Sequence, residues 1–135
     1  MLVIDASIAL AWCFEDESSP ETDAVAETVR REGAVVPGLF QLEVSNILLH
    51  AERKGRLSPS DVAIRLTLLG ELPIATDPET AGRAWRDVMA LARSHTLTTY
   101  DAAYLELALR KGAGLATRDK ALAAAAKGLG VAVSP

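Results

Sequence analysis

Short, largely apolar segments alternate along this chain with longer stretches that have the length and the boundary signals of helices. Continuous apolar character over three or four residues is typical of strands buried on both faces of a parallel sheet. The sequence therefore predicts a strand at each of five such segments. They are Leu2–Asp5, Ala34–Val36, Leu72–Ala75, Leu115–Thr117 and Val131–Val133.

The stretches between these segments begin and end at residues that favour helix termini. Ser58 followed by Pro59 is typical of an N-cap and a first helical position, and Asp77 followed by Pro78 repeats this signal. Gly33 is typical of the residue that ends a helix. The predicted helices are Ala6–Phe14, Glu21–Arg31, Leu39–Lys54, Pro59 to about Leu69, Asp77 to about Arg93, Thr98–Lys111 and Asp119–Lys127.

The alternation of strands with helices predicts an α/β fold with a parallel sheet. We expect a three-layer α/β/α sandwich of Rossmann-like architecture, with about five short strands and a single domain over residues 1–135. Folds of this class bind ligands at the carboxyl ends of the strands. Asp5 ends the first predicted strand and Asp119 lies just past the fourth, so both are expected at this edge of the sheet.

Composition restricts the function only loosely. The chain has 18 acidic and 14 basic residues and a net charge of −4, which gives no global signature of nucleic-acid binding. Cys13 is the only cysteine, so the fold needs no disulfide and no oxidising compartment. The N-terminus lacks a basic region, and no segment approaches the ~20 apolar residues of a membrane span. We therefore expect a cytoplasmic protein without membrane contact.

Asp5 is the acidic residue that folding alone explains least. It follows a buried strand directly, and a buried carboxylate is costly unless it is paired, hydrogen-bonded or bound to a metal. Asp101 has a local explanation, because it follows Thr98 by three residues, as the acidic member of a capping box does. Asp119 is explained as an acidic residue in the first turn of the last helix.

Glu43 lies in the most apolar of the long helical stretches. At helical spacing it shares one stripe with Asn46 and His50. That stripe is either a polar face in contact with solvent or part of a buried site, and the local pattern favours neither.

Four motifs that contain these acidic residues together resemble the PIN-domain ribonucleases, in particular the toxin subunits of bacterial VapBC-type toxin–antitoxin pairs. The resemblance covers nearly the whole chain, and the motifs occur in the expected order. They are Asp5-Ala6-Ser7, the segment from Pro37 through Glu43-Val44-Ser45-Asn46, Tyr100-Asp101-Ala102-Ala103-Tyr104, and Ala116-Thr117-Arg118-Asp119-Lys120-Ala121-Leu122.

The resemblance implies that Asp5, Glu43, Asp101 and Asp119 form a divalent-metal site that hydrolyses RNA phosphodiester bonds. Carboxylate oxygens are the hard ligands that Mg²⁺ and Mn²⁺ prefer, and either one or two ions are compatible with the motifs. The resemblance also implies a small antitoxin partner and a homodimer. The residues it places beside the metal, where they would orient carboxylates or water, are Ser7, Asn46 and Thr117.

An acidic site repels the RNA backbone, so we expect basic residues nearby to guide the substrate. Arg118 and Lys120 flank Asp119 and are the first candidates. A second group of candidates ends the helix of Glu43, where cations also favour the helix dipole. This group consists of Arg53, Lys54 and Arg56.

Two other classes of protein share parts of this pattern. Receiver-like or phosphatase-like phosphoryl-transfer proteins also place an Asp after an early strand, but this chain has Ser7 where they would have a second Asp. A non-catalytic metal- or RNA-binding module of the same fold remains the other alternative. Phosphate binding by a P-loop is excluded, because the chain has no G-x-x-x-x-G-K motif.

Overall fold

A five-stranded parallel sheet lies at the centre of the computed structural model, which describes residues 1–135. The strand order is β3-β2-β1-β4-β5, so the first apolar segment of the chain occupies the middle of the sheet. Its central residue Val3 is aligned with Val35 on one side and Leu115 on the other. The strands are β1 (Leu2–Ile4), β2 (Ala34–Val36), β3 (Ile74–Thr76), β4 (Gly114–Ala116) and β5 (Val133–Ser134).

The helices connect these strands and pack around the sheet. A short 3₁₀ turn, Glu15–Glu17, follows the first helix. Between the fifth and sixth helices a π-helical turn, Ala84–Val88, makes residues 80–95 one continuous but irregular helical segment. The helices are α1 (Ala6–Cys13), α2 (Pro20–Glu32), α3 (Phe40–Arg53), α4 (Pro59–Gly70), α5 (Thr80–Arg83), α6 (Met89–His95), α7 (Thr99–Lys111) and α8 (Lys120–Gly128).

The predicted α/β sandwich with a parallel sheet of five short strands is confirmed. Two strand positions were predicted inaccurately, because β3 runs over Ile74–Thr76 and β5 over Val133–Ser134. Both strands lie at the edges of the sheet, where the apolar pattern is least constrained by burial. The π-helical turn within residues 80–95 was not predicted, since the apolar spacing there resembles that of an ordinary helix.

The core lies between the sheet and the helices and is almost entirely aliphatic. A single cluster of 29 buried apolar residues contains the central strand residues Val3 and Ile4. Helix α7 packs directly on β1 and β4 and contributes the fully buried Leu105 and Leu107. None of the helices has the combination of length and apolar character that crossing a bilayer requires.

The strand order creates a crevice at the carboxyl end of β1. Strands β2 and β3 lie on one side of β1, and β4 and β5, which come later in the chain, lie on the other. The connections to β2 and to β4 therefore run in opposite directions from this point. Such a reversal is where parallel α/β sheets bind their ligands. Asp5 follows β1 immediately, and its backbone N–H donates to the Ala116 carbonyl of β4 at 3.2 Å.

Asp77 does not have the helix-capping position that the sequence predicted. Helix α5 begins three residues later, at Thr80, and the Asp77 carboxylate is buried. It accepts hydrogen bonds from both terminal nitrogens of Arg110, at 2.7 and 3.1 Å. Arg110 also donates to the buried Glu106, at 2.8 Å from its Nε. This ion-pair group connects the end of β3 to α7.

Candidate active site

Asp5 combines a structural position with an unusual electrostatic environment. It is the N-cap of α1, and its Oδ1 accepts from the backbone N–H of Ile8 at 3.2 Å. Only 4% of the residue is exposed, and this burial raises the pKa of the carboxyl group above its usual value. The capping role was not predicted from the sequence, although Asp at the end of a strand and the start of a helix is a good N-cap.

Two hydroxyl groups hold the two oxygens of Asp5. Ser7 Oγ donates to Oδ1 at 2.5 Å, and Thr117 Oγ1, from the loop after β4, donates to Oδ2 at 2.5 Å. These bonds favour the ionised carboxylate and so oppose the effect of burial on its pKa. Ser7 Oγ in turn accepts from the backbone N–H of Arg118 at 2.9 Å. The loops after β1 and β4 are thereby fixed to each other.

Glu43 projects from the first turn of α3 and is held by Tyr104 of α7. The Tyr104 hydroxyl donates to Glu43 Oε1 at 2.5 Å. Tyr104 is fully buried, and burial together with the neighbouring Glu43 raises the pKa of its hydroxyl far above the usual value, so it is a permanent donor. The sequence singled out Tyr104 as part of a motif but did not predict this contact. The signal was present, since a buried Tyr hydroxyl needs a partner.

Asp101 and Asp119 both lie at helix N-termini, as their local patterns predicted. The Asp101 backbone N–H donates to Thr98 Oγ1 at 3.1 Å, which makes Thr98 the N-cap of α7. Asp119 is the N-cap of α8, and its Oδ1 accepts from the Leu122 N–H at 2.8 Å. Helix N-termini stabilise negative charge, which offsets part of the cost of placing both carboxylates at this end of the sheet.

The four carboxylates lie close enough to repel one another. Burial raises the pKa of Glu43 most, and the charges of Asp101 and Asp5 raise it further. Burial likewise raises the pKa of Asp101, with added contributions from Asp119 and Asp5. None of the four forms an ion pair with a basic side chain. The site thus collects negative charge that the protein itself does not neutralise.

This donor set fits a hard divalent cation in chemistry and in charge, because it offers only carboxylate and hydroxyl oxygens. It is not a preformed coordination shell, since no group of three or more acidic, His or Cys side chains has metal-binding spacing. The side chains would therefore have to adjust when a cation binds. The uncompensated repulsion among Asp5, Glu43 and Asp101 favours that adjustment.

Some of the other predicted site residues contact the carboxylates and some do not. Thr117 and Ser7 contact Asp5 directly, whereas Asn46 and His50 are exposed on α3 and form no side-chain hydrogen bond. The stripe that begins at Glu43 is therefore partly buried at its first member and exposed to solvent beyond it.

Among the predicted RNA-binding residues, Arg118 borders the site. Its side chain lines a cleft beside Asp119 and lies 3.6 Å from Glu17. Lys120, in the first turn of α8, is exposed. Arg53 is exposed at the end of α3 and does not line this cleft, whereas Arg56, three residues further, does.

Comparison with known proteins agrees with this geometry. A profile of the PIN domain matches residues 2–128. This chain belongs to the PIN-domain family. Over 122 residues it is also 32% identical to Ribonuclease VapC3 of Pyrobaculum aerophilum, covering 90% of this chain and 92% of that protein. The fold and the ribonuclease family that the sequence motifs predicted are therefore confirmed.

Solved structures share the fold. The crystal structure of PAE2754 from Pyrobaculum aerophilum superposes with a TM-score of 0.71 at 26% identity, over 98% of this chain and 87% of that one. VapC20 of Mycobacterium tuberculosis, described as a toxin that cleaves the sarcin-ricin loop, gives a TM-score of 0.65 at 13% identity. That match covers 93% of this chain and 95% of the toxin and shows a shared fold.

Proposed function

We propose that this chain is a divalent-cation-dependent endoribonuclease and the toxin component of a toxin–antitoxin pair. The observation that carries the proposal is the group formed by Asp5, Glu43, Asp101 and Asp119. These carboxylates come from four separate segments, lie at one edge of the sheet and have no basic partner. Ribonuclease VapC3, a relative over nine-tenths of the chain, supports RNA as the substrate.

In this mechanism the four carboxylates would hold the cation, with Mg²⁺ or Mn²⁺ and either one or two ions as candidates. When bound, the cation supplies charge stabilisation for the phosphate and activation of water. Ser7 and Thr117 keep both oxygens of Asp5 in place. Tyr104 fixes one oxygen of the partly buried Glu43, and its hydrogen bond opposes the rise that burial causes in the pKa of that carboxyl group. The hydroxyl groups thus preorganise carboxylates that would otherwise move apart.

The test incubates the purified protein with structured RNAs, with and without Mg²⁺ or Mn²⁺, and follows cleavage on gels. We expect cation-dependent internal cuts, and we expect Asp5→Asn to reduce their rate at least about a hundredfold. Asp23→Asn is the matched control, because Asp23 is an exposed carboxylate in the first turn of α2. Cleavage that is equal in Asp5→Asn and the wild type, or absent for every RNA and cation, would contradict the proposal.

The partners of the family belong to the same proposal. A small antitoxin encoded beside this gene is the expected inhibitor, and a homodimer is the expected assembly. Neither interface follows from the four-carboxylate site itself. The alternative of a non-catalytic module of the same fold is less well supported, because all four acidic positions of the site are filled and none is neutralised by a basic residue.

A further inference from the structure

A cleft of about 560 Å³ adjoins the four-carboxylate site. The site reaches it through Asp119, one of the four carboxylates, and through Ser7, which holds Asp5. Two guanidinium groups also line it, those of Arg56 and Arg118, while Phe14 and neighbouring aliphatic side chains give it an apolar surface. Its volume lies within the range of ligand-binding clefts in proteins. The cleft thus places two arginine side chains beside the acidic site, with Glu17 as the other acidic residue of its lining.

Both arginines are positioned by a contact with the protein and keep exposed guanidinium groups. The Arg56 guanidinium lies over the Phe14 ring, 4.5 Å from its centre, in cation–π geometry. Arg118 is anchored through its backbone N–H on Ser7 Oγ at 2.9 Å. The two side chains are 50% and 40% exposed, so their guanidinium nitrogens can reach a ligand in the cleft.

The only acidic side chains paired with these guanidinium groups are two carboxylates of the 3₁₀ turn Glu15–Glu17. Arg56 Nη2 lies 3.5 Å from Asp16, and Arg118 Nη1 lies 3.6 Å from Glu17. Neither pair reaches ordinary hydrogen-bond distance, and both are exposed to solvent, where such pairs are weak. Stronger anions can therefore replace these carboxylates.

We propose that this cleft is a phosphate subsite for the RNA strand, and that the acidic 3₁₀ turn competes for it in the free protein. The inference rests on the proposed ribonuclease function. An RNA strand with one phosphate at the carboxylates continues into an adjoining space, and the cleft is the adjoining space that offers cations. Arginine forks match phosphate oxygens in two-pronged hydrogen bonds, which the longer contacts to Asp16 and Glu17 do not provide.

The test measures binding of a single-stranded RNA oligonucleotide of mixed sequence by fluorescence anisotropy at several salt concentrations. All variants carry Asp5→Asn, so that the RNA stays intact. We expect Arg56→Gln and Arg118→Gln each to raise Kd about three- to tenfold and to reduce the salt slope by about 0.7. Arg118→Lys keeps the charge and should keep the slope, whereas Glu17→Gln removes the competitor and should lower Kd.

Arg31→Gln is the matched control, because Arg31 is an exposed arginine paired with an adjacent acidic residue on α2, away from the cleft. Thermal melts show which variants are folded. If Arg56→Gln and Arg118→Gln change binding no more than Arg31→Gln, or if no RNA binds, the subsite inference is wrong. Normal cleavage by the wild type together with unchanged binding by these variants overturns the subsite and leaves the nuclease proposal standing. If these variants bind RNA more weakly but the wild type cleaves no RNA, the subsite is supported and the nuclease proposal is contradicted.

Discussion

Two hydrogen bonds at the site join residues that are 61 and 112 positions apart in the chain, Tyr104 to Glu43 and Thr117 to Asp5. Sequence motifs identified all four residues, because each lies in a segment typical of the family. They did not predict the contacts, since pairing over such distances depends on the packing of α7 on the sheet. Local patterns predicted the positions of Asp101 and Asp119 at helix N-termini, because the start of a helix depends mainly on nearby residues.

At the level of single residues, the Tyr104 hydroxyl is expected to matter more for the cation than for the fold. Tyr104→Phe keeps the buried ring and removes the donor to Glu43. Loss of a hydrogen bond to a ligand side chain typically costs 10- to 100-fold in metal affinity or activity, whereas stability should fall by only about 1 kcal/mol. Mn²⁺ binding measured by calorimetry and RNA cleavage rates test this expectation.

Tyr100→Phe provides the control, because Tyr100 is 63% exposed and its hydroxyl forms no hydrogen bond. It removes the same atom from a tyrosine of the same motif. If both variants bind Mn²⁺ and cleave RNA alike, Tyr104 has only a packing role and does not position Glu43.

At the level of elements, the sequence predicted the order and type of most helices and strands but not every boundary. Where apolar residues are buried on both sides, as in β1 and β2, the pattern was accurate to within a residue. The edge strands β3 and β5 were displaced because partial exposure weakens their pattern. Asp77 was misassigned as a helix start, since its partner Arg110 lies 33 residues away in α7.

The ion-pair group of Arg110 with Asp77 and Glu106 is the main polar connection between the end of β3 and α7. Arg110→Ala would leave the buried Asp77 carboxylate without a basic partner and Glu106 with only the longer contact to Arg83 Nε at 3.5 Å. We expect it to lower the free energy of unfolding by about 3–5 kcal/mol. Urea unfolding measures this change. Arg31→Gln, which breaks an exposed pair, should change it by less than about 1 kcal/mol. Equal effects of the two substitutions would contradict the role assigned to Arg110.

The same group predicts a pH dependence of stability. Hydrogen bonds and charge from Arg110 lower the pKa of Asp77, so this carboxylate stabilises the folded state above the unfolded pKa of about 3.9. That contribution is lost as the pH falls through the lowered pKa. The difference in unfolding free energy between the wild type and Asp77→Asn should therefore be large at neutral pH and shrink below the unfolded pKa. If this difference in unfolding free energy does not change with pH, the Asp77–Arg110 pair does not cause the pH dependence of stability.

At the level of the whole molecule, the acidic site is expected to lower the stability of the protein when no cation is bound. Asp5, Glu43 and Asp101 each have a raised pKa, with burial as the largest cause. Folding therefore brings carboxylates together at a free-energy cost that a bound cation would offset. Asp5 is buried and directly follows β1, the central strand of the sheet. The repulsion therefore acts at the centre of the fold.

Thermal melts of the whole protein test this expectation. At a cation concentration of about 100 times Kd, binding stabilises the folded state by about 2.7 kcal/mol, which for a chain of this size raises Tm by roughly 10 °C. Asp5→Asn retains an oxygen for the Ile8 N–H and removes one repelling charge. We expect it to match or exceed the wild type in Tm without cation and to lose most of the shift with Mg²⁺ or Mn²⁺. If it instead loses several kcal/mol without cation while the wild type shows no shift, the carboxylate group is a structural centre, and the non-catalytic alternative is favoured.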